Sequence, residues 1–98
     1  MFLVILTYIR PLDEVDAHLD AHRAFLDEQY RCGIFVLSGP RQPRSGGVIL
    51  ARAESAEALE RVLASDPFHV HGLARYELHA FAVRAAAPGL EHLIEPPR

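Results

Sequence analysis

The apolar positions fall into segments with two distinct periods. Residues 2–9, FLVILTYI, are apolar at nearly every position and rich in β-branched and aromatic residues. They predict a strand. Its alternating faces are Phe2, Val4, Leu6, Tyr8 and Leu3, Ile5, Thr7, Ile9; both are mostly apolar, so both sides of the sheet need cover. Pro11 closes the strand. From residue 13 the period changes to that of a helix over 13–32, with Asp13 as N-cap and Gly33 as the stop. Val15, Leu19, Phe25, Leu26 and Tyr30 gather on one arc, and Asp16, Asp20, Asp27, Glu28 and Arg31 fall opposite. His22 lies inside the apolar arc, with His18 and Gln29 beside it.

Residues 34–38, IFVLS, predict a second strand, and 46–53 a third, joined by the Gly/Pro-rich loop 39–45 as a long hairpin. Ser55 caps a second helix whose Ala58, Leu59, Val62 and Leu63 are helically spaced. Asp66-Pro67 pairs a good N-cap with a favoured first helical residue and predicts a short turn over 67–71. Residues 74–83 predict a fourth strand, with Tyr76, Leu78, Ala80 and Ala82 on one face. The domain is expected to span 1–83. Residues 84–98, with Pro88, Pro96 and Pro97, form an arm whose Leu90, Leu93 and Ile94 can dock on a neighbour. The order β-α-β-β-α-β is that of an α+β, ferredoxin-like sandwich. Two helices cover one sheet face, so the apolar residues on the other face predict a homodimer that stacks two sheets.

Composition narrows the partners. Ninety-eight residues, half of them apolar and 23% charged, suit one ordinary globular domain. Ten basic residues, all Arg, stand against thirteen acidic ones, for a formal charge of -3. That balance argues against nucleic acid as partner. The single Cys32 excludes an intramolecular disulfide framework and fits a cytoplasmic protein. The apolar run at 2–9 is far below the roughly 20 residues of a membrane helix, and no signal-peptide pattern surrounds it. No membrane partner is expected.

Several side chains carry candidate chemistry. A histidine on a buried arc must be hydrogen-bonded or functional, and an imidazole titrates near neutrality, which suits His22 to proton transfer. Asp66 is a helix cap on its own; the functional reading makes it the carboxylate that orients His22. Ser38, before Gly39-Pro40, reads as a turn or as a hydroxyl at a pocket mouth; no nucleophile elbow surrounds it. His69 and His71 form an H-V-H pair, and with His18 or His22 they could complete a three-histidine metal site, although the zinc-protease pattern is absent. Otherwise they are candidates for substrate binding together with His18. Arg41 and Arg44 read as solvated loop residues or as attractors of an anionic substrate. Cys32, at a helix C-terminus, is no nucleophile candidate.

Four stretches taken together resemble the YCII-related (YciI-like) family: AHLDAHRAFLDEQYRCG containing His22, SGP at 38–40, GGVILARAESAEAL at 46–59, and DPF at 66–68 followed by Gly72-Leu73. The resemblance spans roughly residues 2–83. It implies a ferredoxin-like fold that dimerises through its sheets as a dimeric α/β barrel. It also implies a pocket with a His/Asp active-site pair, here His22 and Asp66, with Ser38 beside the Gly-Pro turn. A relative is a dehydrochlorinase acting on a chlorinated hydroxyhydroquinone, and muconolactone isomerases share the architecture. His69 and His71 depart from the family pattern. Two readings follow. One is a small enzyme without an organic cofactor, using His22 and Asp66 for elimination or isomerisation of a small, aromatic or lactone-like substrate. The other is a non-catalytic module that binds or senses a small metabolite.

Overall fold

The computed structural model describes residues 1–96. Four strands, β1 (Phe2–Tyr8), β2 (Phe35–Pro40), β3 (Gly46–Ala51) and β4 (Ala74–Ala80), form one antiparallel sheet in the order β2-β3-β1-β4. Four helices, α1 (Leu12–Asp16), α2 (Leu19–Arg31), α3 (Ala56–Leu63) and α4 (Pro67–Val70), fill the connections. This is a small α+β fold consistent with the ferredoxin-like arrangement. Among the described residues, no helix is long and apolar enough to cross a membrane.

The two faces of β1 have different fates. Phe2, Val4 and Leu6 are buried with Ile49, Ala51, Val15, Leu59, Leu63 and Phe68 in one core. Leu3 and Ile5 point the other way, next to Leu50 and Val48 of β3 and His79 and Glu77 of β4. Leu37, opposite Leu50, is 56% exposed on that uncovered face.

The single helix expected over 13–32 is two. α1 begins at Leu12, so Asp13 lies in its first turn and Pro11 precedes it. The axis breaks at Ala17 and His18, where the His18 N–H bonds back to Val15 at 3.0 Å, a tightened turn. No Gly or Pro marks this break; packing imposes it, and both Val15 and His22 end in the interior. The far end follows the sequence closely. Gly33, at φ 76°, closes α2, with Gly33 N–H bonded to Tyr30 and Ile34 N–H to Gln29, the paired bonds of a Schellman stop.

β2 departs from the expectation in a consequential way. Gly39 and Pro40, expected in the connecting loop, pair with Val48 and Gly47 at the end of the strand. Pro40 is tolerated there because β2 is an edge strand. A bulge between Phe35 and Leu37 changes which face each residue meets. Phe35 pairs with Ala51 on the helix side, Leu37 with Leu50 on the open side, and Ser38 with Ile49 on the helix side again. An unbulged strand would put Ser38 on the open face. β3 then starts at Gly46, where any β-carbon would lie 1.8 Å from the Leu6 carbonyl oxygen, so only glycine fits. β3 and β4 end at Ala51 and Ala80, earlier than their apolar patterns suggest.

Beyond β4 the chain is irregular apart from a short 3-10 turn at Glu91–Leu93. Glu95 returns to the sheet end, where its carboxylate meets the Met1 amine at 2.7 Å and its N–H bonds to Val83. Pro97, part of the expected arm, lies outside the described residues.

Candidate active site

Asp66 caps α4, its Oδ1 accepting from the Phe68 N–H at 3.0 Å. This local bond follows from Asp before Pro. The chain then places α4 under α2, and the same Oδ1 accepts from His22 Nδ1 at 2.7 Å. Tyr76, on the helix-facing side of β4, donates its hydroxyl to Oδ2 at 2.6 Å. Asp66 is 0% exposed and His22 8%. A buried carboxylate is costly unless its lone pairs are filled, and here three donors from three elements fill them. Burial first, and then the Asp66 carboxylate, push the Tyr76 hydroxyl far above its ordinary range, so it remains a donor.

The imidazole is fixed in orientation as well as in partner. Its ring stacks on Phe68 with centroids 3.9 Å apart and planes 5° from parallel. Phe68 is held in turn edge-on by Tyr8. Nδ1 is committed to Asp66, which leaves Nε2 without a protein partner among the described residues, yet no buried side-chain polar atom there is unpaired. Nε2 therefore keeps some exposure, and His22 lines a cavity of about 330 Å³. Leu6, Leu19, Leu26 and Ile49 make its apolar walls, and Ser38, brought inside by the bulge, is on its lining. Ser38 Oγ makes a very short hydrogen bond with Tyr30.

Arg44 lines the cavity too. Its guanidinium lies 5.9 Å from the Tyr8 ring centroid and pairs with Asp16 at the end of α1. The hydrogen bond from Arg44 holds the Asp16 carboxyl below its ordinary range. Arg23 is the second cation of the lining. Arg41 goes elsewhere, bonding Thr7 Oγ1 at 3.1 Å.

His18, His69 and His71 are not on this cavity's lining. His18 stacks on His71 at 3.9 Å, and His69 meets the Tyr76 ring edge-on. Stacked imidazoles present faces to each other and do not converge lone pairs on one point. Among the described residues, no three His, Cys, Asp or Glu side chains come together as a metal site. A larger cavity of about 690 Å³ lies at the opposite sheet end, between Phe2, Arg52, Phe81 and the tail residues Leu93 and Ile94. It holds none of the expected site residues. Pattern reading gave no role to Tyr76, Phe68, Arg23 or Tyr30. For Tyr76 the one available signal was its place on the same β4 face as Leu78.

A family model, the YCII-related domain, matches residues 1–82. The chain belongs to the YCII-related family. No curated protein matches this YCII-related chain by sequence. Among solved structures it is similar to 5-chloro-2-hydroxyhydroquinone dehydrochlorinase (TftG) from Burkholderia phenoliruptrix AC1100, in complex with 2,5-dihydroxybenzoquinone. The identity is 21%, the match covers 85% of this chain and 95% of that one, and the TM-score is 0.70. At that identity the likeness establishes the shared fold.

Proposed function

We propose that this YCII-related protein is a small acid–base enzyme of the lyase or isomerase type, with His22 as its proton-transfer group. The observation that carries the reading is the contact at 2.7 Å between His22 Nδ1 and a fully buried Asp66, on a histidine that lines a cavity. Asp66 accepts a hydrogen bond from Nδ1–H and so holds the tautomer whose lone pair is on Nε2, which we take to face the cavity. Nε2 takes a proton from a substrate carbon, and the C–H electron pair remains on the substrate. In elimination that pair forms a new π bond as a leaving anion departs with its own electrons. In isomerisation the imidazolium returns the proton to a different atom. Asp66 stabilises the imidazolium between the two steps, and Ser38 contacts a substrate oxygen. The dehydrochlorinase activity of the similar structure fits this reaction class.

The test is turnover of chlorinated hydroxyquinols and unsaturated lactones, followed by proton NMR in D2O and by halide release. Wild type is expected to turn over a member of the panel, and His22→Ala to abolish it. Asp66→Asn keeps one oxygen for the Phe68 N–H and His22 Nδ1, which share Oδ1, but removes the charge that stabilises the imidazolium; a loss of roughly 10²–10⁴-fold is expected. Saturable binding without turnover, unchanged by His22→Ala, would instead make the protein a binding module.

The assembly we propose is a homodimer joined through the open sheet face at Leu3, Ile5, Leu37, Val48 and Leu50, with residues 84–98 as an appended arm. Light scattering at twice the chain mass, lowered to one chain by Leu37→Glu, is the expected result.

A further inference from the structure

The lining of the His22 cavity is asymmetric in charge. Among the described residues it contains two arginines, Arg23 and Arg44, and no carboxylate side chain. The rest of its lining is largely apolar, with Leu6, Leu19, Leu26 and Ile49 as walls. Both side chains reach solvent, Arg23 at 66% and Arg44 at 38% exposure, so they stand where the cavity opens, and a guanidinium fork matches a carboxylate with paired N–H donors.

The two arginines are differently prepared. Arg44 comes from the loop between β2 and β3 and is pinned from two sides, by the Tyr8 ring and by Asp16. Asp16 takes only the Nη2 group, so the guanidinium is held in place without being used up. Arg23 sits on α2, one residue after His22. Its nearest carboxylate is Asp20 at 3.9 Å, and that side chain is fully exposed. A contact so long and wet neutralises little, which leaves the largely exposed Arg23 charge available on the same cavity lining as His22.

We infer that the substrate of this site is a small organic anion, a carboxylate on an apolar or aromatic body, whose charged group is held by Arg44 and Arg23. The inference rests on the acid–base reading of the same cavity and names its substrate class. The apolar body lies against Leu19, Leu26 and Ile49. The same two cations stabilise the negative charge that appears on the substrate when His22 removes a proton, so they serve binding and the transition state together.

Phenylacetate and phenylacetamide test this, since they share a body and differ in charge. Each is titrated by calorimetry at low ionic strength into wild type and into His22→Gln, so the readout does not depend on proton transfer. Phenylacetate is expected to bind both proteins at least about tenfold more tightly than the amide, the scale of one charge-assisted hydrogen bond. The double variant Arg23→Gln/Arg44→Gln is expected to erase that preference. Asp16→Asn, which removes the competing charge while its amide oxygen can still accept from Nη2, should strengthen phenylacetate binding several-fold and leave the amide unchanged. Equal affinity for acid and amide, binding of neither, or a preference that survives the double variant would overturn the inference. Acid-selective binding by a protein that turns over no substrate would uphold it while removing the acid–base reading.

Discussion

Two helices of this protein start with the same device and end up in different physical situations. At α3, Ser55 accepts from the Ala58 N–H at 3.1 Å and makes no other side-chain bond among the described residues. At α4, Asp66 accepts from the Phe68 N–H at 3.0 Å and makes two more bonds, to His22 and Tyr76. Ser55 has done its work when one backbone donor is satisfied. Asp66 needs all three donors, because it is wholly buried and a carboxylate without partners there would be strongly destabilising. A cap motif thus reports where a helix starts and says nothing of what else converges on the capping group.

The widest separation between the two caps is expected from Asp66→Ala. It leaves His22 Nδ1, the Phe68 N–H and the Tyr76 hydroxyl without an acceptor in the core, and should cost about 3–5 kcal/mol in denaturant unfolding. Tyr76→Phe removes one charge-assisted donor and should cost about 1.5–3 kcal/mol at neutral pH. It also carries a pH signature. The folded protein holds the phenol proton above its ordinary value of 10.0, so this contribution is complete below that pH and lost as pH rises beyond it. Wild type and Tyr76→Phe should therefore converge in stability in alkaline urea titrations, and a constant gap would contradict the assignment. Ser55→Ala should cost about 1 kcal/mol, the ordinary worth of a cap, with no change in His22 chemistry. His71→Ala, at the exposed far end of α4, should fall within about 0.5 kcal/mol of wild type and leave the His22 tautomer, read by nitrogen NMR, unaltered.

How much of this was legible in the sequence depended on the range of the interaction. Element order, the Gly33 stop and the Asp66-Pro67 start follow from apolar period and turn chemistry within a few residues. His22 stood out because it interrupts an apolar arc. Its partner Asp66 was one functional reading of a capping aspartate, singled out by family likeness, since 44 positions separate the two. The break at His18 left no mark in residue type. Nor did the stacking of His18 on His71, which gathers two imidazoles without converging them on a ligand.

The sequence by itself determined the alternation of strands and helices, the apolar excess on both faces of β1, and the local cap at Asp66. These depend on bonds and side-chain directions set within one turn or one pleat. Tertiary structure alone decided that Tyr76 completes the Asp66 cluster, that the β2 bulge turns Ser38 inward, and that Arg23 and Arg44 share a cavity with His22. Each of these outcomes requires elements far apart in the chain to meet at one depth and one angle. A one-residue slip in a strand or a few degrees of helix axis changes all of them, and no local pattern encodes either.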